Sequence, residues 1–267
     1  MRIVSWNINA LRAHEKSFRK AMRDTQADIF CLQEIRVRED QMTISVKGYH
    51  SLMNPADASQ YYGTGVFMRN DIHPLSVSFD FPLEGYDYQG RIIAMEFDNY
   101  VIINSYWPFS AYDKNWKWLK YRMEWNEHFQ TFVHTFQARK PVIICGDMNI
   151  VRESLDAFDG NAIKRAGCFY PEEHTAFDHL LETEHLVDSF RALHSCAAPI
   201  DYHKNKGIFT TWSYSKDGYN RENNLGFRID YFLVSEDLLP KIASSDILDD
   251  IHGSDHCPIS LDIDLHT

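Results

Sequence analysis

No run of about 18 consecutive apolar residues occurs in the chain, so no transmembrane helix is predicted. The first residues, MRIVSWNINALRA, contain no hydrophobic secretory segment, and the expectation is a cytoplasmic protein without a membrane partner. Cysteine is sparse. The five cysteines, Cys31, Cys145, Cys168, Cys196 and Cys257, are odd in number and include no C-x-x-C pair. That speaks against a disulfide framework and against a zinc cluster. Cys31, Cys145 and Cys257 lie in apolar surroundings and read as small buried hydrophobes. Positive charge is also short: 27 Lys and Arg face 38 Asp and Glu, for a net charge of −11. A simple electrostatic nucleic-acid binder carries the opposite excess. A nucleic-acid function would need a local basic face, or a metal that offsets the acids. H-E-x-x-H, G-x-S-x-G and P-loop patterns are absent, so zinc protease, esterase and nucleoside-triphosphate readings lose ground.

What is present suits a folded α/β protein. Of 267 residues, 44% are hydrophobic and 24% charged, enough for a large core and too apolar for disorder. Without repeats or long linkers, the expectation is one domain over residues 1–267. Strands are predicted at 2–8, 28–34, 64–69, 91–97, 100–106, 142–145, 209–214, 228–235 and 257–265, from runs of Val, Ile, Phe and Tyr bounded by turn residues. Helices are predicted at 11–24, 116–137 and 171–184. The second has Trp118, Tyr121, Trp125, Phe129, Phe132 and Phe136 at helical spacing. The third opens with Pro171 and Glu172. Many strands and few helices imply two packed sheets covered by helices.

Polar residues recur where apolar runs end. In VIICGDMNIV, residues 142–151, a buried strand delivers Asp147 and Asn149 just past Gly146. Asn7 and Asn9 follow IVSW, Glu34 follows IFCLQ, and Tyr106 follows VIINS. Asp230 lies in FRIDYFLV, while Asp255 and His256 precede CPISL. Neighbouring strands would bring these groups to one rim. Carboxylate and amide oxygens suit Mg²⁺, which keeps several waters and takes one or two carboxylates plus phosphate. Phosphodiester hydrolysis needs charge neutralisation, an oriented water and a stabilised leaving oxygen. Carboxylates can serve as ligand and base; His and Tyr can hold phosphate oxygens.

The stretches SWNINALRA, CLQEIRV, GTGVF, GRIIAMEF, NSYWP, GDMNIV, FRIDYFLVS and SDHCPI follow one another from residue 5 to 259. In that order the chain resembles the exonuclease III/apurinic-apyrimidinic endonuclease family, within the endonuclease–exonuclease–phosphatase superfamily. The resemblance implies a four-layer α/β/β/α sandwich, two mixed sheets flanked by helices, with a Mg²⁺ site at one end where Mn²⁺ can substitute. It implies Glu34 as principal metal ligand, Asn7 beside it and Asp255 as a further acid. Asp147 would activate or position water, and Asn149 would hold the phosphate or Asp147. Asp230 would pair with His256, and Tyr106 would contact phosphate. Trp212 and Phe227 match positions that line a pocket for a flipped-out abasic sugar.

Three positions depart from the family pattern. Asn9 stands where some members carry Asp, Phe109 follows the Pro where many carry a polar residue, and Thr211 replaces an aromatic before Trp212. For a DNA face the candidates are Lys117 and Lys120 in DKNWKWLKYRMEW, which also holds Lys114, Arg122 and Trp116. Arg69, Arg91, Lys204, Lys206, Lys216, Arg221 and Arg228 are the further candidates. The expected function is a monomeric, Mg²⁺-dependent DNA-repair phosphodiesterase. It would cut duplex DNA 5′ to abasic sites and also act as a 3′-to-5′ exonuclease or 3′-phosphodiesterase. The alternatives are a lipid or phosphoinositide phosphodiesterase, marked by a membrane-facing loop, and a catalytically weak DNA-binding scaffold, marked by loss of Glu34, Asp147 or His256.

Overall fold

Alternate residues of the central strands face two different apolar layers, so these strands are buried on both sides. In β1 (Arg2–Asn7), Ile3 joins the core between the two sheets, whereas Val4 and Trp6 join a core under α1 (Glu15–Thr25). The computed structural model describes residues 1–38, 40, 44–55, 61–81, 89–110, 115–158, 167–194, 207–212 and 219–265. The remaining strands are β2 (Ile29–Gln33), β3 (Tyr49–Asn54), β4 (Thr64–Arg69), β5 (Ser76–Phe79), β6 (Ile92–Glu96) and β7 (Val101–Tyr106). They continue with β8 (Val142–Asp147), β9 (Leu186–Asp188), β10 (Asp230–Ser235), β11 (Ile242–Ile247) and β12 (Ile259–Ile263). Two six-stranded mixed sheets result, ordered β11-β12-β1-β2-β4-β3 and β5-β6-β7-β8-β10-β9. Helix α1 covers the first sheet; α2 (Lys117–Gln137) and α3 (Pro171–Thr183) cover the second. This is the expected four-layer α/β/β/α sandwich. Two short helices, α4 (Ser189–Leu193) and α5 (Tyr219–Glu222), complete the described α-helices.

Register explains why one end of the sandwich is polar. β1 and β2 run parallel with Asn7 opposite Gln33, so Asn7 and Glu34 emerge together. β7 and β8 run parallel with Tyr106 opposite Asp147. β10 is antiparallel to β8 and starts at Asp230 opposite Asp147. β12 is antiparallel to β1, so His256, just before it, enters at the same end. Between the layers Gln33 donates to Asn104 (2.7 Å), and Asn104 donates to the Leu32 and Gly65 carbonyls (3.1 and 3.0 Å). These buried amide hydrogen bonds tie one sheet to the other one residue below the rim. Gly146 lets β8 close on β7. Its φ is 137°, and a Cβ there would lie 1.8 Å from the Ser105 carbonyl oxygen.

Two sequence expectations fail. Residues 209–212 form no strand: Thr211 makes single bridges to Phe227 and to His256, dividing its backbone between two partners. The rest of that predicted strand, from 213, lies outside the described residues. On α2, Trp118 is 40% exposed, and the buried face instead carries Leu119, Arg122, Trp125, Asn126, Phe129, Val133 and Phe136.

Candidate active site

Asp147 is the last residue of β8, and its two carboxylate oxygens are held separately. Oδ1 accepts from the Asn149 backbone N–H (3.0 Å) and Oδ2 from the Asn7 amide (2.9 Å). Asn7 also donates to Glu34 Oε1 (2.9 Å), which accepts the Tyr106 phenol at 2.8 Å. Glu34 Oε2 accepts from Arg36. His256 Nδ1 lies 2.8 Å from Asp230 Oδ2, leaving Nε2 4.0 Å from Asp147 Oδ2. Asp255 accepts from the Asn9 amide (2.8 Å) and the Ser254 hydroxyl (3.2 Å). Asn7, Asn9, Glu34, Tyr106, Asp147, Asn149, Asp230, Asp255 and His256 therefore occupy one hydrogen-bonded rim. Glu34, Asn9 and Asn149 all adopt positive φ, between 46° and 50°, as strand ends turn side chains inward.

The local electrostatics divide these groups into acids, a base and donors. Burial first, then Asp230 and Glu34, push the Asp147 carboxyl up to about 7, with His256 and Asn7 opposing. For His256 burial disfavours the charged ring, but Asp230, Asp147 and Asp255 outweigh it and raise the imidazole to about 10. The ring is thus an imidazolium at neutral pH, with Asp230 fixing its orientation and Nε2–H facing Asp147. Burial, Glu34 and Asp147 hold the Tyr106 phenol well above its ordinary value, so it remains a donor. Asp255 is lowered by His256, Asn9 and Ser254 against the effect of burial.

The donor set fits a hard divalent cation. Four carboxylates meet here, and Asp230 and Glu34 add to the burial that raises the Asp147 pKa. Asp230 Oδ1 is a buried acceptor without a hydrogen-bond donor among the described residues. One atom each of Asp147, Asp230 and His256 lies within 4.8 Å of the others. His256 is nevertheless a poor ligand, because its ring is protonated and already paired with Asp230. The oxygen-rich side, Glu34 with Asn7, is the better match.

Beside the rim lies a cavity of about 560 Å³. Phe109, Phe158, Phe169 and Phe227 supply much of its apolar wall, and Asn149, Thr211 and Asp255 its polar end toward the rim. Phe227 thus lines a cavity. Trp212 does not: it is 4% exposed, lies outside the cavity lining, and packs under the Arg221 guanidinium 4.5 Å from its ring. Phe109, 48% exposed, and Thr211, two of the three departures from the family pattern, line the cavity instead.

The basic face needs larger corrections. Arg228 is 1% exposed and enclosed by Asp156 and Asp188, with Arg191 also on Asp156, so it cannot reach DNA. Arg91 is buried between the Tyr62 and Tyr106 rings, donating to the Tyr106 carbonyl at 3.1 Å. Arg221 bonds the Asp249, Ile251 and Ser254 carbonyls. Arg69 pairs with Asp28 and Asp71 at the opposite end of β4 from Thr64 and the rim. Arg91, Arg221 and Arg228 read as surface charges in sequence because their enclosing partners are distant along the chain. Lys117 and Lys120 are exposed at the start of α2. Lys114, Lys204, Lys206 and Lys216 lie outside the described residues. Asn149 departs in detail: its side-chain amide bonds the Trp107 carbonyl (2.9 Å) and its backbone, not its side chain, holds Asp147. Sequence reasoning missed Arg36, although CLQEIRV contains it, and Thr210, whose hydroxyl accepts the Ile229 and Asp230 N–H groups (3.1 and 3.2 Å).

The Arg228 cluster carries a stability consequence. Asp156 sits below its ordinary pKa because Arg228 and Arg191 outweigh its burial. A depressed carboxylate stabilises the fold above the ordinary carboxylate range, and that stabilisation is lost as pH falls through the folded-state value. Asp156→Asn is expected to cost about 3–5 kcal/mol at pH 7, the usual loss when one partner of a buried pair is removed. The gap to the wild type should narrow on acidification, as urea unfolding at several pH values would show; a pH-independent gap would contradict the ion-pair origin.

The family model described as Endonuclease/Exonuclease/phosphatase family matches residues 4–256. The chain belongs to this family. A Bacillus subtilis exodeoxyribonuclease is 35% identical over 99% of this chain and all of its own length. A zebrafish (Danio rerio) DNA repair nuclease is 33% identical over 98% of the chain and 81% of its own. Among solved structures, a Neisseria 3′ phosphatase bound to product DNA hairpin superposes with a TM-score of 0.85 at 26% identity, over 99% of both chains. The chain is a phosphodiester hydrolase of the exodeoxyribonuclease and AP endonuclease type. Among the described residues no helix is long and apolar enough to cross a membrane.

Proposed function

We propose that this protein is a DNA-repair nuclease, cytoplasmic and monomeric, that hydrolyses the phosphodiester 5′ to an abasic site and also acts at 3′ ends. The observation that carries the reading is the joint placement of Asp147, the Asp230–His256 pair, Glu34 and Tyr106 beside an apolar cavity. Mg²⁺, with Mn²⁺ able to substitute, would sit on Glu34, Asn7 and Asp255 and supply charge neutralisation for the phosphate. Asp147, oriented by the Asn149 N–H and the Asn7 amide, holds the attacking water and accepts its proton. The His256 Nε2–H and the Tyr106 phenol donate to phosphate oxygens. A flipped abasic sugar lacks its base, so extrusion is cheap, and Phe227, Phe109 and Phe169 form an apolar receptacle for it.

The test compares two rates in Mg²⁺: incision of a duplex with one abasic analogue, and digestion of an undamaged recessed 3′ end. Phe227→Ala is expected to slow incision at least tenfold more than end digestion. Trp212→Ala should lower stability and both rates in proportion. Equal losses for Phe227→Ala would remove the cavity from the account. Lys117 and Lys120 are proposed phosphate contacts. Binding should weaken steeply with salt, and replacing both lysines should flatten the slope of log K against log salt by roughly two units. An unchanged slope would return that helix end to a plain solvated surface.

A further inference from the structure

Arg122 breaks the usual pattern for a buried charge. It is 0% exposed, on the core-facing side of α2, and no carboxylate of the described residues lies within ion-pair distance. Burial lowers its pKa, with Glu173 and Asp147 among the distant acids that oppose this. An isolated cation in such a place is costly, and an apolar side chain of similar volume would commonly stabilise the fold as well or better. The guanidinium is spent on backbone carbonyls instead. Nη2 donates to Met148 O (2.7 Å), and Nη1 to Pro108 O and, weakly, to Asn149 O (3.5 Å). Nε is steadied by Asn126 Oδ1 at 2.8 Å, and the plane lies over the Trp107 ring at 5.0 Å.

Those carbonyls belong to two segments of the site. Residues 107–109 carry the Trp107 carbonyl that holds the Asn149 amide, and Phe109 of the cavity wall. Residues 147–149 carry Asp147 and the Asn149 N–H that orients it, with Asn149 in the left-handed region at φ 46°. Asparagine tolerates that region better than most residues, and the bonds to its backbone N–H and its side-chain amide hold it there. We infer that Arg122 is a positioning residue: its planar fork clamps the Asp147–Asn149 turn to the Phe109 rim, setting the water-holding carboxylate and the cavity wall relative to each other. Lysine presents a single ammonium and cannot span both segments with the same geometry. The inference rests on the hydrolytic reading of the site.

The test uses Arg122→Met and Arg122→Lys, with kcat and KM measured on the abasic duplex alongside thermal unfolding. Val133→Ala, farther along the buried face of α2, is the control for destabilisation by a side chain that makes no hydrogen bond to either segment. Misplacement by about 1 Å can cost 10²-fold in rate, so both Arg122 variants are expected to lose about 10- to 100-fold in kcat with KM changed less than about threefold. Val133→Ala should lose stability with kcat within about twofold of the wild type. A kcat within about threefold of the wild type in Arg122→Met, or a loss no larger than that of Val133→Ala, would overturn the positioning role. If the Arg122 variants do not fold, Asn126→Ala removes the support at Nε. It is expected to lower kcat several-fold, and an unchanged kcat again overturns the inference. Asp147→Asn run in parallel separates the two claims: an active Asp147→Asn sinks the hydrolytic reading, whereas an inactive one beside a fully active Arg122→Met sinks only the clamp.

Discussion

Asp147→Asn should retain DNA binding and lose turnover by about 10²- to 10⁴-fold, the usual cost of removing a general base. The substitution keeps shape and the chance of a bond from the Asn149 N–H, but it removes the charge that a water proton requires. It also replaces the acceptor facing Asn7 and His256 with a group that can be turned the wrong way. Binding should survive because the exposed lysines and the cavity do not depend on that charge. Single-turnover rates and a binding isotherm on one abasic duplex separate the two effects. A variant cutting at near wild-type rate would reduce Asp147 to a capped strand end.

Removal of divalent metal is expected to have an effect at least as large. Lewis-acid stabilisation is worth several kcal/mol, and about 4 kcal/mol is already a thousandfold in rate. EDTA should therefore silence the enzyme, and Mg²⁺ or Mn²⁺ should restore it. A second readout avoids reliance on activity. A ligand bound only to the folded state stabilises it by about 2.7 kcal/mol at a concentration of 100 Kd. Mn²⁺ should then raise the melting temperature of the wild type and do so far less for Glu34→Gln, which lacks the carboxylate at the centre of the oxygen cluster. Full cleavage in EDTA, or an equal shift in both proteins, would contradict the proposed ligand set.

The strands that could be read from sequence share a physical property. β1, β2, β4, β6, β7, β8, β10 and β12 are interior to their sheets, and their continuous apolar runs announce it. The four that escaped, β3, β5, β9 and β11, are the four sheet edges. Their sequences, YHSLMN, SVSF, LVD and IASSDI, are short or polar because one side has no strand partner. The rim was legible for the complementary reason: an acid or amide closing an apolar run is visible locally, and parallel register brings such ends together. Arginine was where reading failed. Arg69, Arg91, Arg221 and Arg228 look alike in sequence, and only the folded chain reveals that Asp156 and Asp188 enclose one and that tyrosines flank another. Trp212 and Phe227 were equally ambiguous, since one ring faces a cavity and the other a guanidinium.

The two sheets also differ in what they contribute. The first supplies Asn7, Glu34 and, through the turn before β12, Asp255 and His256; the second supplies Tyr106, Asp147 and Asp230. The geometry of the rim therefore depends on the packing of one sheet on the other, which the Gln33–Asn104 bond ties directly beneath it.

The most direct measurement is product analysis by mass spectrometry of a duplex with a single abasic analogue, cut by the wild-type protein in Mg²⁺. The account expects one scission 5′ to the lesion, leaving a 3′-hydroxyl on the upstream fragment and a phosphate on the abasic 5′ end, with no product from Asp147→Asn. An intact duplex, or scission on the 3′ side of the lesion, would contradict it.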